Sequence, residues 1–184
     1  MLQYLAATDD DLPALLRLQQ ENLPKSISKQ EAIEQGFLTV EHDLPLLRDM
    51  NNACAHTIAK DHDKLAGYAL SMTRSFDERI PILKPLFALV DQLQWEGRVV
   101  KDIPYILMGQ VCVAKDFRGQ GVFSGLYREM QKRMSKDFEL IITEISTRNT
   151  RSIRAHQKVG FIDMHQYQAP DGEEWVVVGL PCSA

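Results

Sequence analysis

The sequence is short of cysteine, has little net charge and contains no long apolar run. Its three cysteines, Cys54, Cys112 and Cys182, form no CxxC pair, so neither a disulfide framework nor a zinc site is indicated. A formal net charge of −4 leaves no broad basic surface, which argues against nucleic acid as a partner and weakly suits a cationic one. No stretch approaches the roughly 20 apolar residues that span a bilayer, so no membrane association is expected. The opening MLQYLAATDDD lacks the pattern of a signal peptide, and a reducing cytoplasm is the simplest location. There is no internal repeat, low-complexity tract or interdomain linker. What remains is 184 residues, 45% of them hydrophobic, which suits a single soluble domain over residues 1–184.

Along the chain, Leu2 to Ala7 reads as a strand, and Thr8 with Asp9 to Asp11 opens a helix whose apolar face is Leu12, Leu15, Leu16 and Leu18. The acidic run is better explained as a helix start than as a metal site. Further helices are expected over Lys29 to about Gln35 and Leu44 to Asn51. His56 to Met72 reads as a hairpin, and its polar turn accounts for His62 between Asp61 and Asp63 without a metal. No metal is assigned. Residues 76–104 form an insertion in which Pro81 to Trp95 carries enough apolar residues for an extra helix. That helix would line an acceptor pocket, meet a second subunit or add to the core. His165 to Leu180 reads as a hairpin around APDG, adequate for sheet completion or for a homodimer edge.

The run RGQGVF, Arg118 to Phe123, joins a strand to a helix. Tyr105 to Val113 (YILMGQVCV) is rich in β-branched and aromatic residues, while Val122, Leu126 and Met130 recur at helical spacing with Phe123, Tyr127 and Met134 beside them. Glycines at 119 and 121 let the main chain approach an anion, the helix start favours negative charge, and Arg118 can add a fork of hydrogen bonds. A P-loop would need Lys and then Ser or Thr after the last glycine, where this chain has Val122 and Phe123. A dinucleotide fingerprint would need its third glycine where Ser124 stands. The hexapeptide alone leaves open a turn that only connects two elements.

A second strand and helix follow, Glu139 to Ser146 (ELIITEIS) and Asn149 to Phe161 (NTRSIRAHQKVGF), the latter stopped by Gly160. Together these residues resemble the GNAT superfamily of acyl-CoA N-acyltransferases. Its phosphate pattern, Arg or Gln, two residues, Gly, any residue, then Gly or Ala, falls on Arg118, Gly121 and Phe123, the last of which departs from the small residue usual there. Its Asn, then Tyr seven residues later, then Gly-Phe, falls on Asn149, His156, Gly160 and Phe161, with His156 in the place of Tyr.

The resemblance implies a mixed α/β fold, a mostly antiparallel central sheet with two parallel splayed central strands and flanking helices. It implies acetyl-CoA as co-substrate. The backbone of Val111, Cys112 and Val113 would hold the pantetheine arm, and the amides of Gly119, Gln120, Gly121, Val122, Phe123 and Ser124 with the side chain of Arg118 would hold the pyrophosphate. Asn149 and Ser152 would help bind the cofactor. The reaction implied is direct attack on the thioester by the primary amine of a small molecule or peptide. An ammonium ion with a pKa of roughly 10 must first lose a proton. Glu144 is the best-placed acceptor of that proton, and His156 would protonate the leaving thiolate. A module that binds acyl-CoA without transferring the acyl group is the alternative.

Overall fold

The computed structural model describes residues 1–31, 38, 40–76, 79–80 and 83–183. Most of the helix expected over residues 29–35, and the start of the one expected from Pro81, lie outside them. Among the described residues seven strands form one sheet, ordered β1-β2-β3-β6-β7-β9-β8. These are β1 (Leu2–Ala6), β2 (Thr57–Asp61), β3 (Lys64–Met72), β6 (Tyr105–Val113), β7 (Leu140–Ser146), β8 (Ile162–Gln168) and β9 (Glu174–Pro181). Two further described strands, β4 (Gln94–Trp95) and β5 (Arg98–Val99), make a separate small hairpin. Strands β1 and β2, β2 and β3, β7 and β9, and β8 and β9 pair antiparallel, whereas β6 and β7 run parallel. The parallel ladder joins Tyr105, Ile106 and Leu107 to Leu140, Ile141 and Ile142, and both strands continue beyond it.

The chain gathers into two compact units, Met1–Ser71 with Met108–Met130, and Met72–Leu107 with Gln131–Ala184. In the first, α1 (Leu12–Glu21) and α2 (Leu44–Ala53) bury Leu12, Leu15, Leu18, Leu47 and Met50. The carboxylate of Asp11 accepts from the Thr8 amide and hydroxyl at 2.9 Å each and from Lys60 Nζ at 2.7 Å, so the acidic run does open the helix. Helix α4 (Val122–Met134) buries the expected stripe of Val122, Leu126, Tyr127 and Met130. It lies close to β1, because a Cβ on Gly125 would come within 2.1 Å of the Tyr4 ring. At the hairpin turn His62 is largely exposed, with its ring 3.2 Å from Asp61.

The second unit contains α3 (Lys84–Val90), α5 (Thr150–Val159) and the β4–β5 hairpin. Here the insertion differs from the helix expected up to Trp95. The helix ends at Val90, and the chain turns through Glu96 and Gly97, both at positive φ (49° and 79°), to make β4 and β5. An acidic residue followed by glycine supplies the backbone of a tight hairpin, which outweighs helical periodicity in so short a stretch. Leu86, Phe87 and Val90 are buried, and the Trp95 ring would lie 2.8 Å from a Cβ on Gly179 of β9, so these residues add to the core of this unit. Asp91 accepts from Tyr105 Oη at 3.2 Å and pairs with Arg74.

Candidate active site

In the first unit, β6 ends at Val113 and passes through a short 3-10 turn, Lys115–Phe117, into Arg118 and the glycines. Gly119 and Gly121 have φ of 76° and 79°, and a Cβ on either would meet nothing within 4 Å. The left-handed backbone therefore calls for glycine here, and the space beside it is open. The first bond closing α4 runs from Gly125 N–H to Gly121 O at 2.9 Å, so the amides of Val122 to Ser124 precede the helix's own acceptors. An anion at this turn would meet main-chain N–H groups and the positive end of a helix of 13 residues.

Side chains around the turn are arranged differently from a simple phosphate fork. Arg118 donates from Nη1 to Glu31 Oε1 at 3.0 Å and from Nη2 to Asn22 Oδ1 at 2.9 Å, so its guanidinium braces the turn against the chain that follows α1. Gln120 Nε2 folds back onto Asp116 O at 2.8 Å. The Phe123 ring stands edge-on to Tyr127, with centroids 5.1 Å apart, which directs it along the helix. These side chains are engaged with the protein, and the open space lies beside the glycine backbone. Of the strand residues before it, Val111 and Val113 are half-buried while Cys112 is buried, and burial pushes its thiol up to about 12. That thiol stays protonated at neutral pH, which argues against Cys112 as a nucleophile.

A buried polar network lies on the same strand. Gln110 Oε1 accepts from Tyr68 Oη at 2.7 Å and from Gln19 Nε2 at 2.9 Å, and Gln110 Nε2 donates to Val40 O at 2.7 Å. Gln19 Oε1 takes the His42 amide at 2.8 Å, and Gln19 Nε2 also reaches His42 Nδ1 at 2.9 Å. These bonds set the donors and acceptors. Nδ1 of His42 is an acceptor, so its proton sits on Nε2, and burial holds the ring neutral with a pKa of about 4. One signal was present in the sequence, since Gln19 continues the spacing of Leu12 and Leu15 on the apolar face of α1, where a polar residue needs buried partners.

In the second unit, Asn149 caps α5, its side chain accepting from Ser152 N–H at 3.1 Å. His156 lies one turn further on, 1% exposed, with Nδ1 at 2.8 Å from Ser152 O and its ring edge-on to Phe161 at 5.0 Å. Nδ1 therefore donates, and Nε2 carries the lone pair. Burial drives the pKa down to about 4, against a smaller opposing effect of the Ser152 carbonyl. With folded pKa values of about 4 and ordinary ones near 6.5, His42 and His156 add stability that is complete above 6.5 and lost as pH falls through 4. The urea midpoint is thus expected to fall between pH 7 and 4, and His156→Gln to flatten that dependence; an unchanged slope would count against the buried neutral ring.

Glu144, on β7, is half-buried and accepts a hydrogen bond from Tyr167 Oη. Burial raises its pKa above the ordinary carboxylate value, partly offset by that bond. Among the described residues no group of three or more His, Cys, Asp or Glu gathers as a metal site, and no helix is long and apolar enough to cross a membrane.

The acetyltransferase (GNAT) family profile matches residues 12–161, which spans both the glycine turn and α5. The chain belongs to the GNAT acetyltransferase family. No curated protein matches it in sequence. Solved structures share the GNAT fold: a ribosomal-protein alanine N-acetyltransferase from Escherichia coli is 15% identical with a TM-score of 0.65, covering 100% of this chain and 96% of that one. A Salmonella typhimurium protein described as an acetyltransferase and solved with acetyl-CoA is 13% identical, with a TM-score of 0.63 and coverage of 99% and 94%. The ribosomal-protein-alanine N-acetyltransferase of Brucella melitensis is 19% identical, with a TM-score of 0.62 and coverage of 97% and 99%. At such identities the likeness is one of fold. This GNAT chain carries its own variations, His156 and Phe123, on that frame.

Proposed function

We propose that this GNAT chain transfers the acetyl group of acetyl-CoA to a primary amine by direct attack. The observation that carries the reading is the glycine turn, whose two positive-φ residues open onto space at the head of α4 in a chain of an acetyltransferase family. That turn suits a pyrophosphate: its amides and the helix dipole would hold the anion, while the backbone of Val111 to Val113 would meet the pantetheine arm and Asn149 and Ser152 would assist. Acetyl-CoA supplies an activated acyl carbon on a thiol leaving group. Glu144 takes the proton of the incoming ammonium, directly or through water, and burial gives it the raised proton affinity that a base for this task needs. Main-chain N–H groups of the Val111–Cys112 segment stabilise the oxyanion that develops.

His156 enters this reading as an acceptor. A ring with a pKa of about 4 is almost wholly neutral at pH 7, and with Nδ1–H turned to Ser152 O its Nε2 can receive a hydrogen bond but has no proton to give. This observation favours one competing reading, a module that binds acyl-CoA without transferring the acyl group. Calorimetry with acetyl-CoA followed by thiol release on a panel of primary amines separates the two, since binding without release on any amine would leave the sensor. In the same experiment Gly121→Val, whose β-branched side chain is disfavoured in the left-handed region by about 1–2 kcal/mol, is expected to let the free turn relax out of that conformation, so that re-forming it on binding weakens acetyl-CoA affinity roughly tenfold. Unchanged affinity would remove the turn from the cofactor site.

A further inference from the structure

Glu144 and Tyr167 stand on β7 and β8, with β9 between them. Val177 of β9 registers with Glu144 on one side and His165 on the other, and Trp175 registers with Ser146 and Tyr167. Tyr167 therefore belongs to the neighbouring cross-strand row and must reach diagonally over β9 to place its hydroxyl on Glu144 Oε2. Strand β8 is otherwise an exposed edge. Of its seven residues only Met164 and Tyr167 are drawn in to half-burial.

From this geometry we infer that Tyr167 is a positioning residue for the reaction, holding the Glu144 carboxylate in one orientation and setting the pH at which it becomes a base. The inference rests on the reading of Glu144 as the proton acceptor. With Oε2 held by the phenol, the proton leaving the substrate ammonium binds Oε1 while the nitrogen keeps the electron pair that attacks. A hydroxyl donating to a carboxylate favours its ionised form, so the bond works against burial and keeps Glu144 available at lower pH than burial alone would permit. In its cross-strand row Glu144 has the apolar Val177 of β9 and, beyond it, the exposed His165 of β8; Asp171 acts on Tyr167 itself.

The test is a carboxyl-carbon NMR titration of protein carrying labelled glutamate, with the Glu144 signal identified by its loss in Glu144→Gln. Tyr167→Phe is expected to raise the Glu144 midpoint by about half a pH unit or more. Replacing Tyr167 with 3-fluorotyrosine, a stronger donor of nearly the same shape, is expected to lower it, so the result does not hang on the fold of one variant. A midpoint unmoved by both overturns the positioning role. The acid limb of thiol release should move with the NMR midpoint. If the midpoint moves and the limb does not, Tyr167 still governs the Glu144 carboxyl but Glu144 is not the base, and the inference about catalysis falls with that reading.

Discussion

Glu144→Gln is expected to lower kcat/KM for acetyl transfer by at least about a hundredfold at neutral pH, with little change in acetyl-CoA affinity. An amide can neither take the ammonium proton nor relay it through water, and it keeps the shape of the side chain it replaces. Folding should not suffer. Because burial raises the carboxyl pKa in the native state, ionised Glu144 works against stability once the pH passes the ordinary carboxylate range, and a neutral Gln avoids that cost while still accepting from Tyr167 Oη. Steady-state kinetics beside a thermal melt would therefore separate chemistry from structure. A variant with full turnover on an amine that the native protein acetylates would exclude Glu144 as the base.

Gln110→Leu is expected to be the most destabilising single change in the first unit. It removes at once the acceptor of Tyr68 and Gln19 and the donor to Val40 O, in surroundings where Gln19 and Tyr68 are wholly buried. Each buried polar group left without a partner costs about 1–3 kcal/mol. A total of about 3 kcal/mol would lower Tm by roughly 6–12 °C in a chain of this size. Differential scanning calorimetry measures it. A melt unchanged in Gln110→Leu would mean that the network adds no net stability.

Much of this was legible in the sequence because the decisive signals are local. Strand β6 occupies the stretch expected from its β-branched residues, and α4 begins at Val122, where the glycines end. Asn149 and Gly160 bracket α5 as their cap chemistry requires. The state of the site residues was not legible, because it depends on partners far away in the chain. Nothing near Arg118 announces that Glu31 and Asn22 will take its guanidinium, and nothing near Glu144 announces a phenol two strands away. His156 shows the limit most clearly. Its position in the motif suggested an acid, and the burial that lowers its pKa to about 4 is a property of the packed unit.

The chain has two tryptophans, Trp95 and Trp175, and both fall within Met72–Leu107 and Gln131–Ala184. Tryptophan fluorescence, excited at wavelengths where tyrosine does not absorb, is thus a one-sided reporter: it watches the unit that holds Glu144, Tyr167 and His156, whereas the unit that holds the glycine turn contributes only tyrosines, Tyr4, Tyr68 and Tyr127. Circular dichroism, which sees both, supplies the complementary trace, and the gap between the two signals is a ready measure of whether the units melt as one.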